Sequence, residues 1–107
     1  MSSPQKSLML MLAERISAAH VGGLEAYFTE DFRLHDPAAP EWPRGAAGAQ
    51  HMLSSFMALG DDVRLRVLDM VEEGDKLAVR WQVSFTREGV RHRAAIMAIY
   101  RFDGGRI

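Results

Sequence analysis

The sequence of 107 residues predicts an α+β domain: two long helices in the N-terminal half, then a meander of long antiparallel strands. Three observations carry this. Apolar residues in the first half recur at helical spacing, from Val63 onward they alternate with polar ones, and a turn signal separates each alternating run from the next. Helices and strands segregated in this way bury their apolar sides by laying the helices on one face of a curved sheet.

The first helix opens at Ser3-Pro4, a hydroxyl at the cap followed by proline at the first helical position. Leu8, Leu12, Ile16 and Ala19 form its apolar stripe, widened by Met9 and Met11, and Gly22-Gly23 end it. A short amphipathic piece spans Leu24 to Phe28. Phe32-Arg33-Leu34-His35 then alternates as a short strand, which Asp36-Pro37 terminates because proline has no amide hydrogen to continue a ladder. Residues 38–44, with Pro40 and Pro43 around Trp42, read as a loop. Gly45 to Leu59 carries Ala49, Met52, Leu53 and Phe56 on one face and is the second long helix, closed by Gly60. Val63, Leu65 and Val67 alternate with Arg64 and Arg66 up to the Glu73-Gly74-Asp75 turn. The clearest strand follows: Leu77, Val79, Trp81, Val83 and Phe85 are apolar, separated by Arg80, Gln82, Ser84 and Thr86. After Arg87-Glu88-Gly89, a third long strand over 90–102 puts His92, Ala94, Ile96, Ala98, Tyr100 and Phe102 on one face. Asp103-Gly104-Gly105 demands another reversal.

Composition narrows the function. The chain has no cysteine, which excludes disulfides, zinc-thiolate sites and a thiol nucleophile. Thirteen Lys+Arg against fourteen Asp+Glu give no electrostatic reason to expect nucleic acid or an anionic membrane as partner. The apolar run Leu8–Ala13 is broken by Glu14-Arg15, too early for a signal peptide and too short for a bilayer span. A single domain in the cytoplasm is the expectation. His20, His35, His51 and His92 have no chelating spacing, no phosphate loop or nucleophile elbow occurs, and neither metal nor cofactor is expected.

The order of elements, the FRLHDP strand, the RGAAGAQHMLSSF helix, the GDKLAVRWQVSF hairpin strand and the closing IYRFDGGRI resemble the SnoaL-like proteins of the nuclear-transport-factor-2-like superfamily, from about Leu8 to Ile107. The resemblance implies a cone: a bent antiparallel sheet whose concave face is covered by the two long helices, with an apolar pocket inside. It also implies a homodimer through the outer sheet face. In such relatives the RFDGGRI turn leads into one more strand, so the sequence to Ile107 is expected to lack the last strand and to leave one edge of the third long strand unpaired. Members include polyketide cyclases, and relatives include ketosteroid isomerase and limonene epoxide hydrolase.

Cyclase or isomerase chemistry needs a group that moves a proton next to a carbonyl, and a carboxylate or imidazole in an apolar cone suits this. His35 is the first choice for that group, with Asp36 as its orienter or replacement, although Asp36 before Pro37 also reads as a turn residue. SnoaL-like cyclases often carry an acidic residue two positions before the aromatic that Tyr100 matches. Here that position is Ala98, and alanine cannot move a proton, so any acid/base chemistry falls to other residues. His92 shares the Ala98 face, nearer the rim. An epoxide-hydrolase-like Asp–Arg–Asp set is an alternative, drawing on Asp36, Asp69 and the arginines 33, 44, 80 and 93. Tyr27, Trp42, Phe56, Trp81 and His92 are the expected ligand contacts in a pocket with few polar fixtures, built for a hydrophobic small molecule. A non-catalytic dimeric binding or assembly module is the reading that Ala98 favours.

Overall fold

The computed structural model describes residues 3–34 and 43–107. Its elements are helix α1 (Pro4–Ser17), a 3-10 turn over Leu24–Tyr27, helix α2 (Gly45–Met57), and strands β1 (Asp61–Glu73), β2 (Lys76–Arg87) and β3 (Val90–Arg101). The strands form one curved, unclosed antiparallel sheet in the order β1-β2-β3. No described helix is long and apolar enough to cross a membrane.

Two tight turns set the register. Glu73 pairs with Lys76 across Gly74-Asp75, and Arg87 pairs with Val90 across Glu88-Gly89. Glu88 and Gly89 both have positive φ, 53° and 77°, the backbone twist that matches a two-residue hairpin to its strands. Every β2 position is thereby matched to β3. Leu77, Val79, Trp81 and Val83, all buried, lie opposite Tyr100, Ala98, Ile96 and Ala94, and these residues share the inner face.

β1 departs from simple alternation. Val67 pairs with Trp81 and Asp69 with Arg80, so Leu68 is an extra residue in a bulge; a second register shift falls between Asp61 and Arg64. The bulge turns Met70, the partner of Val79, to the inner face and sends Asp69 and Val71 outward.

The helices pack on the inner face, and their buried residues join those of the strands in one cluster. In α1 the buried stripe is Met9, Leu12, Ala13 and Ile16, rotated slightly from the expected one; Leu8 is only half-buried. The helix stops at Ser17 rather than at the glycine pair. Ala19 takes the left-handed conformation (φ 60°), and the amides of Ala19 and His20 bond back to the carbonyls of Ile16 and Arg15, a Schellman closure made with alanine where glycine is usual. Gly48 in α2 lies so close to Phe32 and Pro43 that a Cβ would collide with the Pro43 carbonyl oxygen. The short strand expected at Phe32–His35 is not formed by its described part, 32–34. The Phe32 amide bonds to the Thr29 carbonyl and the Phe32 carbonyl accepts from the Gly45 amide, so both backbone groups are spent on a turn and on the start of α2. The Phe32 ring meets Phe28 edge-on at 4.7 Å.

Two serines fix α1 to β1. Ser3 Oγ caps the helix by accepting from the Lys6 amide and donates to the Glu72 carboxylate. At the other end, Ser17 Oγ accepts from the Leu65 amide at 2.9 Å and donates to the Leu65 carbonyl at 3.2 Å. β1 is an edge strand, and Ser17 satisfies edge groups that its sheet does not. Replacing Ser17 by alanine strips both partners from a half-covered peptide unit and gains only a few tenths of a kcal/mol in helix propensity. Ser17→Ala is expected to lower unfolding free energy by about 1–2 kcal/mol in urea titration; no change would show that water replaces the hydroxyl without loss.

Candidate functional site

The helices cover the β1 side of the inner face and leave the β3 side open. Inward-facing His92, Ala94 and Ile96 are exposed, Ile96 to 37%, whereas the β2 partners of Ala94 and Ile96, Val83 and Trp81, are 3% and 6% exposed and Phe85 opposite His92 is half-buried. A solvent-open apolar strip therefore runs beside a buried tryptophan.

The polar chemistry on this strip is sparse. Trp81 Nε1 donates to Tyr100 Oη at 3.0 Å. The pairing follows from register, because Trp81 stands opposite Ile96 and Tyr100 lies two inward positions farther along β3. Burial pushes the Tyr100 phenol above its ordinary pKa, and the Trp81 hydrogen bond opposes that shift. Toward the hairpin, the His92 ring stacks on Phe85 with centroids 5.2 Å apart and planes 21° from parallel.

Of the residues singled out in the sequence, His35, Asp36 and Trp42 lie outside the described residues. Trp81 and His92 share the inner sheet face. Tyr27 is 37% exposed at the end of the 3-10 turn, with its carbonyl accepting from the Ile107 amide. Phe56 is half-buried on α2 against the core. Asp69 and Arg80 sit 3.8 Å apart on the outer face, both more than half exposed, away from the inner strip. Among the described residues no three His, Asp or Glu gather as a metal set.

Tyr100 was not among the residues singled out. The signal was present: a two-residue turn at Glu88-Gly89 matches 81 with 96 and 77 with 100, which brings an indole and a phenol onto one face. A depression of about 300 Å³ lies elsewhere, between the C-terminal ends of both helices and the start of β1, lined by Ile16, Ser17, Met57 and Val63. A shallow one of about 70 Å³ lies on the outer side of the sheet beside Val71 and Met97.

Residues 11–107 match the family model of the SnoaL-like domain. No curated protein sequence matches the chain. Solved structures share its fold. A candidate polyketide cyclase from Acidithiobacillus ferrooxidans superposes with a TM-score of 0.81 at 20% identity, over 99% of this chain and 84% of its own. A protein with a ketosteroid-isomerase-like fold from Catenulispora acidiphila, in complex with trimethylamine, gives 0.77 at 14% over 92% and 78%. TerC, co-crystallised with polyporic acid, gives 0.78 at 17% over 97% and 85%. At such identities the likeness speaks to fold alone.

The Tyr100 environment has a consequence at high pH. A phenol whose folded pKa is raised stabilises the fold fully below the unfolded value of 10.0, and that contribution is lost as pH rises through the folded value. Between about pH 9 and 11, the urea midpoint is expected to fall more steeply for the native chain than for Tyr100→Phe. Parallel slopes would mean that the phenol is freely hydrated.

Proposed function

This chain belongs to the SnoaL-like domain family, and we propose that it binds a hydrophobic small molecule on the inner face of its sheet, along the open side of β3. The observation that carries the proposal is the exposed inner strip of Ala94 and Ile96 beside the buried Trp81. Apolar surface on the inner side of a curved sheet gains free energy when a ligand covers it. Trp81, His92, Phe56, Tyr27 and Trp42 are the proposed contacts. The two fold relatives crystallised with small molecules support this as a use to which the fold is put. The proposed setting is the cytoplasm.

If the site is catalytic, its reaction is an isomerisation or cyclisation by acid/base transfer without a cofactor, with His35 moving the proton and Asp36 orienting or replacing it. A second reading, a dimeric binding or assembly module without catalysis, is favoured by Ala98, whose position on the inner face opposite Val79 offers no proton-transferring group. A thermal-shift screen of apolar ketones, lactones and aromatic polyketide-like compounds is expected to yield a ligand that raises the melting temperature. On a substrate so found, His35→Ala and Asp36→Asn are each expected to lower turnover by about a hundredfold or more. Full activity in both variants would end the catalytic reading and leave the binding one.

The outer face is the proposed dimer interface. Val71 on β1 and Met97 and Ile99 on β3 are 65%, 72% and 73% exposed and flank Ala78 of β2, which pairs with both Val71 and Ile99; apolar patches of this kind mark association surfaces. In sedimentation, the native chain is expected to run as a dimer and Met97→Glu as a monomer. A monomeric native chain, or a Met97→Glu dimer, would remove this interface.

A further inference from the structure

We propose that the Tyr100 hydroxyl, held by Trp81, is the hydrogen-bond donor that fixes an uncharged oxygen acceptor, a carbonyl above all, of the ligand on the inner face. This rests on the reading of that face as a binding surface and names the ligand chemistry it selects.

A phenol offers one O–H donor and an oxygen that accepts. The oxygen of Tyr100 already accepts from Trp81 Nε1 at 3.0 Å, while among the described residues no acceptor is present for its own hydrogen. What the group has left to give is a proton donor. The phenol is neutral at ordinary pH, and burial raises its pKa further, so the donor is present there. An indole N–H donating to the phenol oxygen polarises the O–H bond and strengthens what it donates in turn.

Position adds to chemistry. Between Trp81 and Tyr100 on the inner face stands only the Val79–Ala98 pair. Alanine at 98 keeps the side chains beside the phenol short, whereas a carboxylate there would project next to the hydroxyl and compete for its proton. Ala98 removes one polar group from the strip and leaves Tyr100 as its hydroxyl, with exposed Ala94 and Ile96 continuing the surface toward His92. A ligand with an apolar body on that strip and an oxygen at its Tyr100 end would meet both features. A ligand whose polar group is only a donor would have to share the oxygen that Trp81 already bonds.

The test uses two probes of nearly one shape, 2-acetylnaphthalene and 2-isopropenylnaphthalene, the second carrying a methylene group in place of the carbonyl oxygen. Dissociation constants are measured by NMR titration for the native chain and for Tyr100→Phe. The ketone is expected to lose about fivefold relative to the hydrocarbon on removal of the hydroxyl, because Trp81 itself, 6% exposed, stays covered. A role confined to satisfying the Trp81 N–H would weaken the fold without changing that ratio, so an unchanged ratio overturns the proposal and leaves the apolar site intact. Failure of both probes to bind the native chain overturns the site and this proposal together. Infrared spectra of the carbonyl-labelled ketone on the native chain guard against a variant that does not fold. A C=O stretch below its frequency in alkane supports the hydrogen bond, and an unshifted stretch refutes it.

Discussion

The attachment of α1 along β1 is the constraint from which the rest of the architecture follows. The helix has fourteen residues, about 21 Å at 1.5 Å per residue. From Leu65 to Glu72 the strand advances by seven steps, one of them absorbed in the bulge, which is about 20 Å. The two serines therefore meet their strand partners without stretching either element. Fixing both ends sets not only the position but also the rotation of the helix, and with it the Met9–Leu12–Ala13–Ile16 stripe that fills the core.

One-sided covering then decides where a site can exist. β1 has a helix across its inner side and a serine on its edge. β2 is held between two neighbours and buries Leu77 and Val79 completely, so it serves as a rigid floor. β3 has the same inward-facing apolar residues but no helix laid over them among the described residues. The open strip is thus the remainder of a face that the helices fill from the other side, and its one indole–phenol pair lies where floor meets opening. Among the described residues that strip carries few polar groups.

The sequence made the α+β class, both helices, the three long strands and both hairpin turns legible, because each rests on periodicity or on residues with special backbone freedom. Periodicity misleads where tertiary contacts spend the backbone elsewhere. Phe32-Arg33-Leu34 alternates like a strand, but its amide and carbonyl serve a turn and the α2 start. Ala19 gives no local sign of a left-handed closure, which is made by backbone bonds from Ala19 and His20 and flanked by Arg15 side-chain bonds to the carbonyls of His20 and Gly22. The bulge at Leu68 is equally silent, since Leu68 continues an apolar stretch. On the site side, Trp81 was legible on the apolar face of its strand, and His92 and Tyr100 on the Ala98 face of the next. Tyr100 required the hairpin register to be carried across to the partner strand, residue by residue.

That bulge makes β1 one residue longer than its pairing needs at that point. On either side, Val67 and Met70 face in while Arg66 and Asp69 face out, so dropping Leu68 would restore an unbroken alternation with every neighbour on its present side. Losing a residue from the regular stretch of β2 would instead exchange inside for outside along the rest of that strand. The same one-codon deletion is thus a change of local bend in one strand and an inversion of the sheet in the next. The length of this domain can drift by a residue at Leu68, on the strand farthest from the open strip, without disturbing the pairing of β2 with β3 that forms that strip.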